Sequence, residues 1–322
     1  MAETARAVRF LAPYRVDVGE VGVPDVRNGE LLVRAEYSGI SAGTEMLVYR
    51  GEVDAKLPRD ESLGALAGTF EYPLTYGYAA VGTVAASRSD LAERERVFAF
   101  HPHQDLFVVR ADDVIAVGEF DPRTATLFPL VETALQLTLD AGVRLGERVV
   151  VLGLGAVGIL AGILLARSGA TVIGIDPLVS RREAARACGL EAAEPGELPA
   201  GVDLVVEASG NPEALAAGLD LLAHEGVALV ASWYGSKPVT LPLGGAFHRR
   251  RLELRSSQVS TIGSRAARWN RKRRLDFTRA LMPELPLDVL ATHTFPFECA
   301  PDAYAAVARG EEGLVHAALS YS

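Results

Sequence analysis

Apolar positions along this chain change their spacing twice, and the changes mark out its elements. Up to about residue 118, short apolar runs at residues 30–37 (ELLVRAEY), 79–85 and 106–109 are separated by Gly, Pro and Asp. That pattern predicts a β-rich region. Over residues 122–141 the period becomes three to four, with Leu127, Leu130, Val131, Ala134, Leu135 and Leu139 on one face, which predicts a helix. Short, almost wholly apolar runs then follow at residues 149–152, 171–175, 204–207 and 227–231, with a more polar one at 252–256 (LELRS), alternating with helical stretches. Strands apolar on both faces and alternating with helices predict a parallel sheet with right-handed crossovers. Mixed structure resumes in the tail and ends in a predicted strand at residues 315–321.

The run VVVLGLGAVG, residues 149–158, carries the most chemistry. Gly153, Gly155 and Gly158 stand in G-x-G-x-x-G spacing between a strand and an apolar helix, and a second strand ends in Asp176. The first glycine permits the tight turn, the second lets backbone N–H groups approach a pyrophosphate, and the third allows close helix–strand packing. A helix N-terminus favours the phosphate charge, and the acid hydrogen-bonds a ribose diol. The expected architecture is therefore α/β with a Rossmann doubly wound parallel sheet. Its cofactor contacts include Ala156 and Val157 at the helix start. Asp176 suits the two free hydroxyls of NAD and repels the 2′-phosphate of NADP. Arg181 and Arg182 follow on a predicted helix, where Arg181 is the nearer cofactor contact. Trp233 and Tyr234 come just after the 227–231 strand, at the carboxyl end where such sheets bind ligands, and are expected to face substrate or nicotinamide.

The stretch between Arg148 and Arg167 is uncharged and near the length of a membrane span, but its glycines and the following strand place it in a buried core. The opening MAETARAVRF lacks the apolar centre of a signal peptide, so a cytoplasmic protein without membrane attachment is expected. Net charge is −9 over 322 residues, which argues against general affinity for nucleic acid. The charge is uneven, since residues 249–279 hold eleven Arg or Lys against Glu253 and Asp276. That segment, with a helix-like run at 265–274, reads as a solvated face or as an attractor of an anionic substrate. Cys188 and Cys299 lack metal-ligand spacing, and Cys188 reads as a small buried residue of a helix.

Two features suggest further chemistry. Glu132 is an acid within the apolar face of the 122–141 helix; such a carboxylate is costly unless paired or functional. It is read as a catalytic proton donor, a substrate anchor or the partner of an arginine. His101 and His103, with Asp105, could suggest a metal. Pro102 argues for a loop entering the next strand, and His103 is expected to line the substrate site without metal.

The segments SGISAGTE (38–45), GYAAVGTV (77–84), AGVRLGERVVVLGLGAVG (141–158), DLVVEASG (203–210) and THTFPFECA (292–300) together resemble the medium-chain dehydrogenase/reductase superfamily. The first of these is most similar to the branch of bacteriochlorophyllide hydroxyethyl dehydrogenases. The resemblance implies a GroES-like β-rich catalytic domain (1–118 and 263–322) and a Rossmann domain (119–262). It also places Ser209 at the cofactor. Two departures matter. Where zinc alcohol dehydrogenases carry a ligating cysteine this chain has Ser41 or Ala42, and where they carry the histidine of G-H-E it has Tyr78. Neither serine nor tyrosine is an ordinary zinc ligand, and the four-cysteine lobe is missing, so neither zinc site is expected. Tyr78 then becomes the expected proton donor, Thr44 and Ser41 its hydroxyl neighbours, and Glu45 an acid that orients groups next to the substrate. What the resemblance implies is a zinc-independent, NAD-dependent oxidoreductase interconverting a secondary alcohol and a ketone, acting as a homodimer paired through residues 252–256. Two alternatives stand beside it: a reductase of activated C=C bonds, and a non-catalytic nucleotide-binding redox sensor.

Overall fold

A computed structural model describes residues 4–59, 64–196 and 199–321; the first three residues of the opening segment lie outside it. The chain divides into two compact units, residues 1–129 with 291–322, and residues 130–290. These bounds differ from the expected 119 and 263 for a physical reason. The helices over 271–290 pack with the parallel sheet's unit, since a buried arginine ties them to it.

In chain order the first unit contains β1 (Thr4–Ala12), β2 (Arg15–Gly22), β3 (Glu30–Ile40), α1 (Thr44–Arg50), β4 (Leu74–Thr75), β5 (Ala80–Ser87), β6 (Arg96–Ala99), β7 (Leu106–Arg110), β8 (Val114–Ala116) and α2 (Pro122–Ala125). Helix α3 (Phe128–Ala141) leads into the second unit, which holds β9 (Arg148–Leu152), α4 (Ala156–Arg167), β10 (Thr171–Ile175), α5 (Val179–Ala187), β11 (Glu191–Ala193), β12 (Val202–Glu207), α6 (Pro212–Leu221), β13 (Leu222–Val230), β14 (Glu253–Ser256), α7 (Arg271–Leu281) and α8 (Leu287–Leu290). The chain then returns to the first unit with β15 (His293–Pro296), α9 (Ala300–Arg309) and β16 (Ala317–Ser320).

The first unit is built on a mixed, largely antiparallel sheet in the order β15-β16-β3-β5-β6-β8, with β7 also on β3, beside a small sheet β2-β1-β4. Strand β3 is its axis. Ser38, near the end of β3, lies opposite Ala80 of β5 on one side and Leu319 of β16 on the other. Register therefore brings residues from the two ends of the chain together at one point. A core of Phe10, Ile40, Met46, Tyr304 and Leu319 closes over it.

The second unit's sheet runs β11-β10-β9-β12-β13-β14, parallel at every pairing. This is the 3-2-1-4-5-6 order of the dinucleotide fold. Val149–Val151 on the central β9 are buried, as a strand covered on both faces must be. Helix α4 covers twelve residues, and among the described residues no helix is long and apolar enough to cross a membrane.

Three expectations are corrected. The helix expected over 122–141 starts at the Asp121 cap and breaks into α2 and α3, since Pro129 has no N–H to give the Ala125 carbonyl of a continuous helix. The basic run at 265–274 becomes helical only from Arg271, because the Asn270 side chain accepts from the Arg273 N–H at 2.8 Å and starts α7 there. Cys188 is the half-buried C-cap of α5 and not a buried helix residue.

Candidate active site

The glycine turn shows why each glycine stands where it does. Gly153 has φ +96, and a Cβ there would lie 2.7 Å from the Ser209 backbone. A Cβ on Gly158 would overlap the Gly153 carbonyl oxygen. Gly155, the extended N-cap of α4, has nothing within 4 Å of its missing Cβ. Two glycines thus allow close packing, while the third keeps the helix N-terminus open for an anion. Ala156 and Val157 open that helix.

Asp176 is 2% exposed. Its Oδ2 accepts from the Leu154 N–H at 2.8 Å and its Oδ1 from the Leu178 N–H at 2.9 Å, and Arg181 approaches Oδ2 at 3.6 Å. The expected ribose ligand therefore also ties the glycine turn to the end of β10. Leu178 and Val179, next in sequence, are exposed apolar residues. Arg182 points back onto the Asp176 and Pro177 carbonyls.

Sequence reasoning missed Glu207. Its Oε1 accepts from the Ser209 N–H and hydroxyl, both at 2.7 Å, and from the Gly210 N–H at 2.8 Å. It therefore holds the loop on which Gly153 packs. Tyr234 is half-buried beside Glu207, and burial together with that charge pushes its phenol up. Trp233 is exposed.

In the first unit, Tyr78 is half-buried. Burial, and then the charge of Glu45, push its phenol up to about 12, while the hydroxyls of Ser41 and Thr44 act in the opposite sense by hydrogen bonding. All four residues expected at this point from the resemblance are thus neighbours. Helix α1 places them, since Thr44 and Glu45 open it and Glu45 Oε1 turns back to accept the Ser41 N–H at 2.9 Å.

The substrate-contact expectation for His103 is corrected here. Glu45 and His103 are each 0% exposed. His103 Nε2 donates to Glu45 Oε2 at 2.9 Å, so the two lie behind Tyr78 and line no open surface. The neighbours Ser38, Tyr304 and Tyr321 carried no signal in the local sequence. His101 stacks on Phe107, is held by the Pro102 carbonyl, and is lowered to about 4 by burial. Asp105 accepts from Arg6. Among the described residues no group of three or more His, Cys, Asp or Glu could hold a metal ion.

Glu132 is buried in the second unit and accepts from Arg274 of α7 at 2.9 Å. Arg274 also donates to Gln136 at 2.5 Å, Gln136 to Asp140 at 2.9 Å, and Ser257 to Asp140 at 2.6 Å. Glu132, Gln136 and Asp140 are four apart, so one face of α3 is a buried polar ladder. Of the three roles expected for Glu132, the arginine partner is the one this geometry contains.

Residues 156–271 match the family model of the zinc-binding dehydrogenases. D-guloside 3-dehydrogenase of Escherichia coli is 26% identical over 278 residues, spanning 76% of this chain and 78% of the relative. The 2-desacetyl-2-hydroxyethyl bacteriochlorophyllide A dehydrogenase of Rhodobacter capsulatus is 28% identical over 320 residues, 93% of each chain. In three dimensions the chain resembles an NADP-bound structure from Sinorhizobium meliloti described as a zinc-binding dehydrogenase. The TM-score is 0.78 at 20% identity, over 99% of both chains.

Proposed function

We propose that this chain is an oxidoreductase of the medium-chain dehydrogenase/reductase type, to whose members it is similar, and that it interconverts a secondary alcohol and a ketone with NAD(H) and without zinc. The observation that carries this reading is the group around Tyr78. Zinc stabilises a developing alkoxide as a Lewis acid. Here the matching positions hold Tyr78 and either Ser41 or Ala42, and the described residues offer no set of three metal ligands, so zinc does not fit them and no step is assigned to it.

The second unit's residues do fit a nicotinamide dinucleotide. Gly155 and the N-terminus of α4 would take the pyrophosphate, Asp176 the ribose hydroxyls, and exposed Leu178 and Val179 an adenine face. Bound there, the cofactor supplies or accepts the hydride. The carboxylate of Asp176 favours NAD over NADP. In the reducing direction Tyr78 gives its proton to the substrate oxygen, and the Ser41 and Thr44 hydroxyls stabilise the phenolate left behind. Oxidation reverses the transfer. The relatives' names, with a guloside oxidised at carbon 3 and a hydroxyethyl group, support a secondary alcohol on a larger molecule. The protein acts as a homodimer joined along β14, the outer strand of its sheet, where Leu254 is exposed. Leu254→Lys is expected to halve the mass measured by sedimentation.

The functional test combines metal analysis, NADH and NADPH titrations, and turnover of paired ketones and enones. Less than a tenth of a zinc per chain, tighter NADH binding and ketone turnover are expected. Stoichiometric zinc would overturn the metal-free mechanism, and turnover of the enone alone would make the protein a C=C reductase.

A further inference from the structure

Behind Tyr78 the buried polar groups form a single series. Glu45, His103 and Ser38 are each 0% exposed. Glu45 receives the Ser41 N–H, the His103 Nε2–H and the Tyr304 hydroxyl. On the far side of the imidazole, Nδ1 lies 2.6 Å from Ser38 Oγ, and Ser38 Oγ lies 2.8 Å from the Tyr321 phenol oxygen. Tyr321 is half-buried, and burial pushes its phenol up. It also touches the segment carrying Tyr78. Gly77 has φ +110, and a Cβ on it would lie 2.5 Å from the His103 ring.

This series satisfies every member in two protonation states. With a neutral imidazole, Tyr321 donates to Ser38 and Ser38 donates to Nδ1. With an imidazolium, Nδ1–H donates to Ser38 and Ser38 donates to the Tyr321 oxygen. Both states pair every donor of His103 and Ser38, and an unpaired donor there is the usual obstacle to charging a buried histidine. The other titratable groups facing the pair are Tyr304 from α9 and Tyr78 beside Glu45, and His101 beside His103. Asp105, held by Arg6, faces Tyr321.

We propose that Glu45 and His103 form a charge-switching pair that governs how readily Tyr78 gives up its proton, with Ser38 and Tyr321 as the route by which the imidazole exchanges its own. This rests on Tyr78 being the proton donor. When the O–H bond of Tyr78 breaks and its proton goes to the reduced carbonyl oxygen, the electron pair stays on the phenolate. One proton taken from solvent through Tyr321 and Ser38 forms the Nδ1–H bond of His103 and cancels the charge of Glu45. On reset, Tyr78 regains a proton from solvent and His103 releases one, so each reduction consumes one proton overall. His103, Glu45, Ser38 and Tyr321 are positioning residues, since none touches the substrate.

The test follows the imidazole itself and turnover together. In ¹⁵N NMR of full-length protein, His103 is identified by the signal lost in His103→Gln and titrated in wild type, Ser38→Ala and Tyr321→Phe. The kcat for ketone reduction is measured over the same pH range. One inflection shared by the imidazole and kcat is expected. Both substitutions remove an acceptor needed only by the charged state, so both inflections move to lower pH by about one unit, with melting temperature and cofactor KM retained. An imidazole that never changes protonation overturns the proposal. So does an inflection unmoved by both substitutions, or a kcat profile that fails to follow the imidazole. If the wild type reduces no ketone, the functional reading fails, and the imidazole titration alone decides whether the pair switches.

Discussion

Tyr78 can serve as an acid only while it holds its proton, and burial with the charge of Glu45 pushes it up to about 12. Ketone reduction is therefore expected to show no loss from Tyr78 ionisation below about pH 11. Tyr78→Phe is expected to lower kcat about 100-fold or more while NADH titration is unchanged; a variant with full activity would remove Tyr78 from the chemistry. Two histidines make an acid-sensitive pair elsewhere in the same unit. His101 and His316 are each lowered from 6.5 to about 4 by burial. Between those values the unfolded chain binds protons that the folded chain refuses. Their contribution is therefore complete above about pH 6.5 and is lost as pH falls through 4, about 3 kcal/mol for each at most. His316 Nε2 lies 3.0 Å from Thr126 Oγ1, so His316→Gln keeps a polar partner there. It is expected to flatten the fall of melting temperature across that window.

At the scale of elements, the glycine turn and the α3–α7 ladder make opposite predictions about stability and binding. Gly158→Ala places a methyl on the Gly153 carbonyl and is expected to cost about 3 kcal/mol in urea unfolding. Gly155→Ala meets nothing within 4 Å. It is expected to change stability by less than about 0.5 kcal/mol and yet weaken NADH binding, because the methyl stands where the phosphates approach. In the ladder, Arg274→Met removes the guanidinium that pairs with the buried Glu132 carboxylate and is expected to cost about 3–5 kcal/mol. Adding Glu132→Leu is expected to restore much of that loss, since a buried ion pair contributes little over apolar packing. A double variant as unstable as the single would show that Glu132 has other essential contacts.

For the whole molecule, two compact units with separate cores imply unfolding in more than one step. The residues proposed to bind the dinucleotide all lie in the 130–290 unit. NADH at a hundred times its Kd is therefore expected to stabilise that unit by about 2.7 kcal/mol, raising one calorimetric transition and leaving the other in place. Equal shifts of both transitions would mean that the units unfold together. The basic segment 249–279 belongs to the same unit. Arg274 is buried in the ladder, and Arg255 donates to the Asp140 carbonyl, so part of that charge works inside the fold.

The architecture was legible in the chain because its signals are local. The nearly apolar runs placed β9, β10 and β12, and the glycine spacing with Asp176 marked a strand–turn–helix from residues within about two dozen positions of one another. Tyr78, Ser41, Thr44 and Glu45 were legible only through resemblance to a family motif; nothing in their own periodicity marks them. Tertiary structure alone decided the rest. Tyr321 meets Ser38 across 283 residues, Tyr304 meets Glu45 across 259, and Arg274 meets Glu132 across 142. An isolated acid in an apolar run shows that a partner is needed but does not say which. Hydrophobic pattern sets which face of an element is buried; strand register and helix packing determine which polar groups meet there, and so turned one expected substrate contact, His103, into the buried partner of Glu45.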